Sequence, residues 1–154
     1  MPKPLVLFVD DQPDLRELLE VYASKFGLPF KIVFAECVEG ALRVVREQRP
    51  EAVILDVNLS GETGLDVADH LHEFYPDVVK AALTAYDMTT THANCEEYEM
   101  PVWPKPVRTV PELVAKVVTL LATRQPAGNG GVNVMRVLAS MLGMFGGFHM
   151  PRLH

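Results

Sequence analysis

The sequence has only two cysteines, one tryptophan and no run of lysine or arginine. Cys37 and Cys95 show no CxxC spacing and have no histidine companion at zinc-site distance, so they read as reduced thiols suited to the cytoplasm. With 20 acidic residues against 14 Lys and Arg, the net charge is −6. Such a surface repels a phosphate backbone, and no direct nucleic-acid contact is expected. The apolar stretch in MPKPLVLFVDD is too short for an export signal and lacks a cleavage pattern. A later apolar stretch, Val132 to Phe148, is short for a membrane span and contains Arg136. No internal repeat is evident. What remains, at 154 residues and 49% hydrophobic, is one globular domain with a short appendage.

Within that domain, short apolar runs alternate with helical patterns. Leu5 to Val9 and Ala52 to Leu55 are nearly continuous Val, Ile and Leu, which marks strands buried on both faces of a parallel sheet. Leu15, Leu18, Leu19, Tyr22 and Phe26 follow the first at helical spacing; Leu65, Ala68, Leu71 and Phe74 follow the third. Phe30 to Ala35, Val78 to Thr84 and Val102 to Pro104 complete five strands, the last an edge because of its prolines. Helices are also expected over Val38 to Gln48, with Ala41, Leu42 and Val45 inward, and after the Thr109-Val110-Pro111-Glu112 cap, with Leu113, Val117, Leu120 and Leu121 inward. The threonines of Asp87 to Glu99 predict a short or loosely held fourth helix. The domain is placed at 1–124. Residues 125–154 read as a Gly-rich linker and an apolar, amphipathic tail that docks on a partner, a second copy or its own domain.

Repeated βαβ units place ligands beyond the carboxyl ends of the strands. Asp10 and Asp11, Asp56, Thr84 and Lys105 all emerge there. Carboxylates so gathered repel unless a hard cation joins them, and Mg²⁺ takes oxygen ligands from a couple of carboxylates and a phosphoryl group. Asp10, Asp11 and Asp56 are therefore the candidate metal ligands, with Asp56 also the nucleophile that forms an aspartyl phosphate. Lys105 supplies positive charge to the phosphoryl group, and the Thr84 hydroxyl a hydrogen bond. The loop from Asn58 to Gly64 is polar and glycine-bearing, able to wrap an ion beside Asp56.

These residues in this order resemble the receiver domain of bacterial response regulators, over about Leu5 to Thr123. The resemblance implies a (βα)₅ fold, a doubly wound five-stranded parallel sheet of order 2-1-3-4-5. It implies Mg²⁺ as cofactor, the backbone carbonyl of Asn58 as a further metal ligand, and a cis Lys105–Pro106 bond. It also implies a phosphorylation-dependent switch of a two-component system or phosphorelay, taking its phosphoryl group from a histidine kinase or histidine phosphotransfer protein. Such a switch is no conventional enzyme, although it catalyses its own phosphorylation and dephosphorylation. The short tail leads us to expect a stand-alone receiver acting on another protein, with a homodimer as one form of output.

The sequence departs from the family at Val102, where Tyr or Phe is usual. Thr84 and Trp103 are the candidate switch residues, Trp103 on condition that a strand irregularity turns its indole inward. The alternative function is a pseudo-receiver, an interaction scaffold that works without phosphate. An aspartate-nucleophile phosphatase ranks last, because Asn58 stands where a second acid is general and no segment is long enough for a cap.

Overall fold

The computed structural model describes residues 2–85 and 94–124. Five parallel strands form the main sheet: β1 Leu5–Val9, β2 Lys31–Ala35, β3 Ala52–Leu55, β6 Val79–Thr84 and β7 Val102–Pro104. Their order is β2-β1-β3-β6-β7, the doubly wound arrangement expected, with β7 at an edge. The remaining two strands, β4 Asn58–Leu59 and β5 Glu62–Thr63, make a separate antiparallel hairpin within the polar loop after β3. Sequence reading gives that segment only as a loop, since two-residue strands are too short to carry an alternation.

Helices cover both faces of the sheet. On one side α1 Pro13–Phe26 and α5 Val110–Ala122 bury Leu15, Leu19, Leu113 and Val117 against Val6, Phe8, Ile54 and Leu83. On the other, α2 Val38–Gln48, α3 Leu65–Phe74 and α4, helical at residues 94–96, bury Ala41, Val45, Val67, Leu71 and Cys95 against Leu7, Val9, Val53 and Leu55. Capping follows the sequence. Pro13 opens α1, Gly27 closes it at φ 73, and the Thr109 hydroxyl accepts from Glu112 N–H at the start of α5. No described helix is long and apolar enough to cross a membrane. Residues 87–93 of the expected fourth-helix region, and the whole 125–154 tail, lie outside the described residues.

The apolar stripes are narrower than their sequence patterns. Leu18 is 44% exposed, whereas its neighbour Leu19 is 0% exposed. Phe26 and Phe74 are also more than half exposed. Each is the last residue of its helix, with its ring lying along the previous turn, against Tyr22 and His70 respectively. Leu42 is only partly buried. A converse exception is Lys80, buried at 9% exposure near the start of β6. Burial pushes its pKa down, and the charge of Glu99 opposes that shift.

The paired leucines give a direct check on which face of α1 carries the core. Leu19→Ala should cost about 2–5 kcal/mol of unfolding free energy in urea titrations, through the cavity it leaves. Leu18→Ala should stay within roughly 0.5 kcal/mol.

Candidate functional site

The sheet's own hydrogen bonding delivers the charged residues. Asp10 N–H donates to Ala35 O at 3.0 Å and Asp56 N–H to Val9 O at 2.8 Å, so each acid continues the pairing one step past its strand. Lys105 N–H donates to Thr84 O at 3.0 Å just beyond β7, and the Lys105–Pro106 bond is cis. All emerge at the carboxyl end of a parallel sheet, where an open α/β fold leaves its crevice.

Side chains then converge on one cation. Lys105 Nζ donates to Asp10 Oδ2 at 2.5 Å and to Asp56 Oδ2 at 2.9 Å. These three side chains are 15%, 7% and 10% exposed, so the attraction is poorly screened. Burial alone would push the Lys105 pKa down. The hydrogen bonds to Asp10 and Asp56, together with their charge, outweigh it and hold its pKa above the ordinary lysine value.

Backbone donors fix the other oxygens. Gln12 N–H reaches Asp10 Oδ1 and Asn58 N–H reaches Asp56 Oδ1, each at 3.0 Å. Asp11 Oδ2 accepts from Ser60 N–H at 2.8 Å and also from the Ser60 hydroxyl. The side-chain and backbone hydrogen bonds from Ser60 lower the pKa of Asp11. One oxygen from each of Asp10, Asp11 and Asp56 lies within 4.8 Å of the other two. A compact set of hard carboxylate oxygens, without thiolate or imidazole, fits magnesium.

Thr84 ends β6 and is 1% exposed. Along that strand Lys80, Ala82 and Thr84 alternate with Ala81 and Leu83, which point to the α1 and α5 side. Trp103 pairs with Leu83, packs into that same cluster at 9% exposure and has Lys116 Nζ 6.0 Å from its ring centroid. It is therefore on the opposite face from Thr84, while Val102 shares the Thr84 face. No bulge interrupts the β6–β7 register.

The structure adds residues that the sequence reading does not single out. Ser60 holds Asp11, and the signal for it lies only in the polarity of the loop. Gly64 underlies Asp56: a Cβ there would sit 2.0 Å from the Asp56 carbonyl oxygen. A cleft of about 370 Å³ adjoins the acids, lined by Asp10, Gln12, Leu15, Leu18, Lys105 and Val107 among others. A larger one, about 590 Å³, lies at the opposite end of the sheet beside Pro50, Asp77 and Val78.

The response regulator receiver domain model matches residues 6–117. The chain belongs to this family. It is 31% identical over 96 residues to the sensory transduction protein LytT of Enterococcus faecalis, covering 60% of this chain and 40% of that protein. To the LytT of Bacillus subtilis it is 37% identical over 83 residues, covering 53% and 34%. The receiver thus spans only about a third to two fifths of the length of these curated relatives. Among solved structures, response regulator TrrA of Thermotoga maritima in complex with Mg²⁺-BeF superposes with a TM-score of 0.64 at 31% identity, covering 77% of this chain and 99% of that one. The non-phosphorylated HemR receiver domain of Leptospira biflexa gives a TM-score of 0.70 at 22% identity, covering 80% and 98%.

Two measurements probe the site's construction in magnesium-free buffer. Gly64→Ala should lower the thermal midpoint, at a cost of about 1–3 kcal/mol, because the methyl group must displace backbone. Lys105→Gln should cost about 1–3 kcal/mol at pH 8 by leaving two partly buried carboxylates without their cation. Because the Lys105 pKa is raised on folding, its contribution is complete below the ordinary value of 10.5 and fades as pH climbs through the shifted one. Urea midpoints of wild type and variant should therefore converge in strongly alkaline solution, and a constant gap would contradict the pairing.

Proposed function

We propose that this receiver is a phosphorylation-dependent switch in which Asp56 accepts a phosphoryl group from a phosphohistidine. The observation that carries this reading is the joint engagement of Asp10 and Asp56 by Lys105, with Asp11 alongside, at the carboxyl end of the sheet. Asp10, Asp11 and Asp56, with the Asn58 carbonyl, would hold Mg²⁺, which supplies charge to offset that of the incoming phosphoryl oxygens.

An Asp56 carboxylate oxygen attacks phosphorus while the phosphorus–nitrogen bond of the donor breaks, and the imidazole leaves with the electron pair and takes a proton. Lys105 is already within reach of Asp56 and can turn its ammonium to a phosphoryl oxygen. Thr84, at the end of the neighbouring strand, offers its hydroxyl to another. Water returns the carboxylate and releases phosphate. Leu18, which lines the cleft beside the acids, and Val21 farther along α1, 44% and 55% exposed, give a histidine kinase or phosphotransfer protein an apolar surface on which to dock. Output passes to a further protein through changed shape, with the cytoplasm as the setting.

The scaffold reading draws on Trp103, which packs as a core residue on the face away from Thr84. A small phosphodonor should label the wild type only with Mg²⁺ present, and Asp56→Asn should abolish the label. Protein that binds Mg²⁺ and takes no phosphate at Asp56 would hand the case to the scaffold.

A further inference from the structure

We propose that Ser60 is a positioning residue for the metal site, clamping Asp11 in its cation-facing pose and tying magnesium affinity to the β4–β5 hairpin. The inference rests on the magnesium reading above and asks what prepares the site for the ion. Asp10 and Asp56 are both anchored by Lys105. Asp11 makes no such ion pair; among the described residues the hydrogen bonds that reach its carboxylate from elsewhere in the chain come from Ser60, 49 positions away. Both Ser60 bonds end on Oδ2, so Oδ1 is left available to an ion.

The hairpin makes this clamp rigid. Leu59 and Glu62 pair across a two-residue loop, Ser60-Gly61. Gly61 has φ 74, whereas Ser60 is outside the left-handed region, the pattern of a type II turn with Ser60 in its first central position. At that position the backbone N–H projects from the turn and is free to donate outward, as it does to Asp11. Two opposing effects act on the ion. The Ser60 donors draw negative charge from the carboxylate, which weakens it as a ligand, but they also remove the cost of ordering it. Because the ion can use the other oxygen, the ordering effect prevails.

Magnesium calorimetry on the full chain tests this with a binding readout independent of phosphorylation. Ordering one side chain is worth about 0.5–1.5 kcal/mol, so Ser60→Ala should weaken binding about threefold and Ser60→Pro about tenfold. Proline suits the turn position and removes both donors without disturbing the hairpin. Ser60→Thr, which retains both, should bind like wild type. In an Asp11→Ala background the Ser60 changes should have no further effect. Unchanged or tighter binding by Ser60→Pro, with normal wild-type binding, would overturn the clamp alone. A wild type that binds no magnesium would overturn the site reading and this inference with it.

Discussion

One ammonium group between two carboxylates holds this site together. Asp10, Asp11 and Asp56 offer oxygens within 4.8 Å of one another in partly buried surroundings, an arrangement that repulsion would open. Lys105 offsets it from a strand end 49 residues beyond Asp56 and 95 beyond Asp10. Any cation added to the acids relieves the same repulsion, so Lys105 then becomes free to serve another anion. In the proposed cycle that anion is the phosphoryl group. The resting ion pair and the reactive contact are thus two uses of one charge.

The precision of the contact comes from the sheet rather than from the side chains. Val9 is in register with both Ala35 and Leu55, so Asp10 and Asp56 leave adjacent strands at one level. Leu83 pairs with Trp103 and Thr84 with Pro104, so Lys105 leaves β7 two residues beyond the level of Asp56, and its long side chain reaches back to the acids. A one-residue shift would exchange the residues that face the two cores, so this register is strongly specified. The Asn58 to Gly64 loop is pinned differently, by Asn58 to Asp56, by Gly64 N–H to Val57 O, and by the absence of a Cβ at Gly64.

Continuous apolar runs made the β1 and β3 strands and the charged residues after them legible, because that signal is local; the five-strand order came from the resemblance to the receiver family. Strand limits moved by one residue at Phe30 and Val78, where pairing rather than apolarity decides the boundary. Exposure at Leu18, Phe26 and Phe74 was not legible, since apolar spacing does not say how far a neighbouring element extends. Ser60 was hidden for a related reason. Its partner is 49 residues distant, and a serine in a glycine-bearing turn is ordinary in composition.

Trp103 shows how facing constrains signalling in this receiver. Thr84, Ala82 and Lys80 look toward the side of the sheet that carries Cys95, Met100 and Val102, whereas the indole is packed among α1 and α5. A ring on that side cannot swing into space vacated near Thr84 without crossing the sheet. Val102, which does share the Thr84 face, has one short, stiff side chain and no long lever to reorient. If phosphate at Asp56 draws Thr84 inward, the disturbance must therefore spread through backbone and packing around Cys95, Met100 and Val102. There the buried Lys80 ammonium, supported by the charge of Glu99, makes that layer less purely apolar than the opposite one.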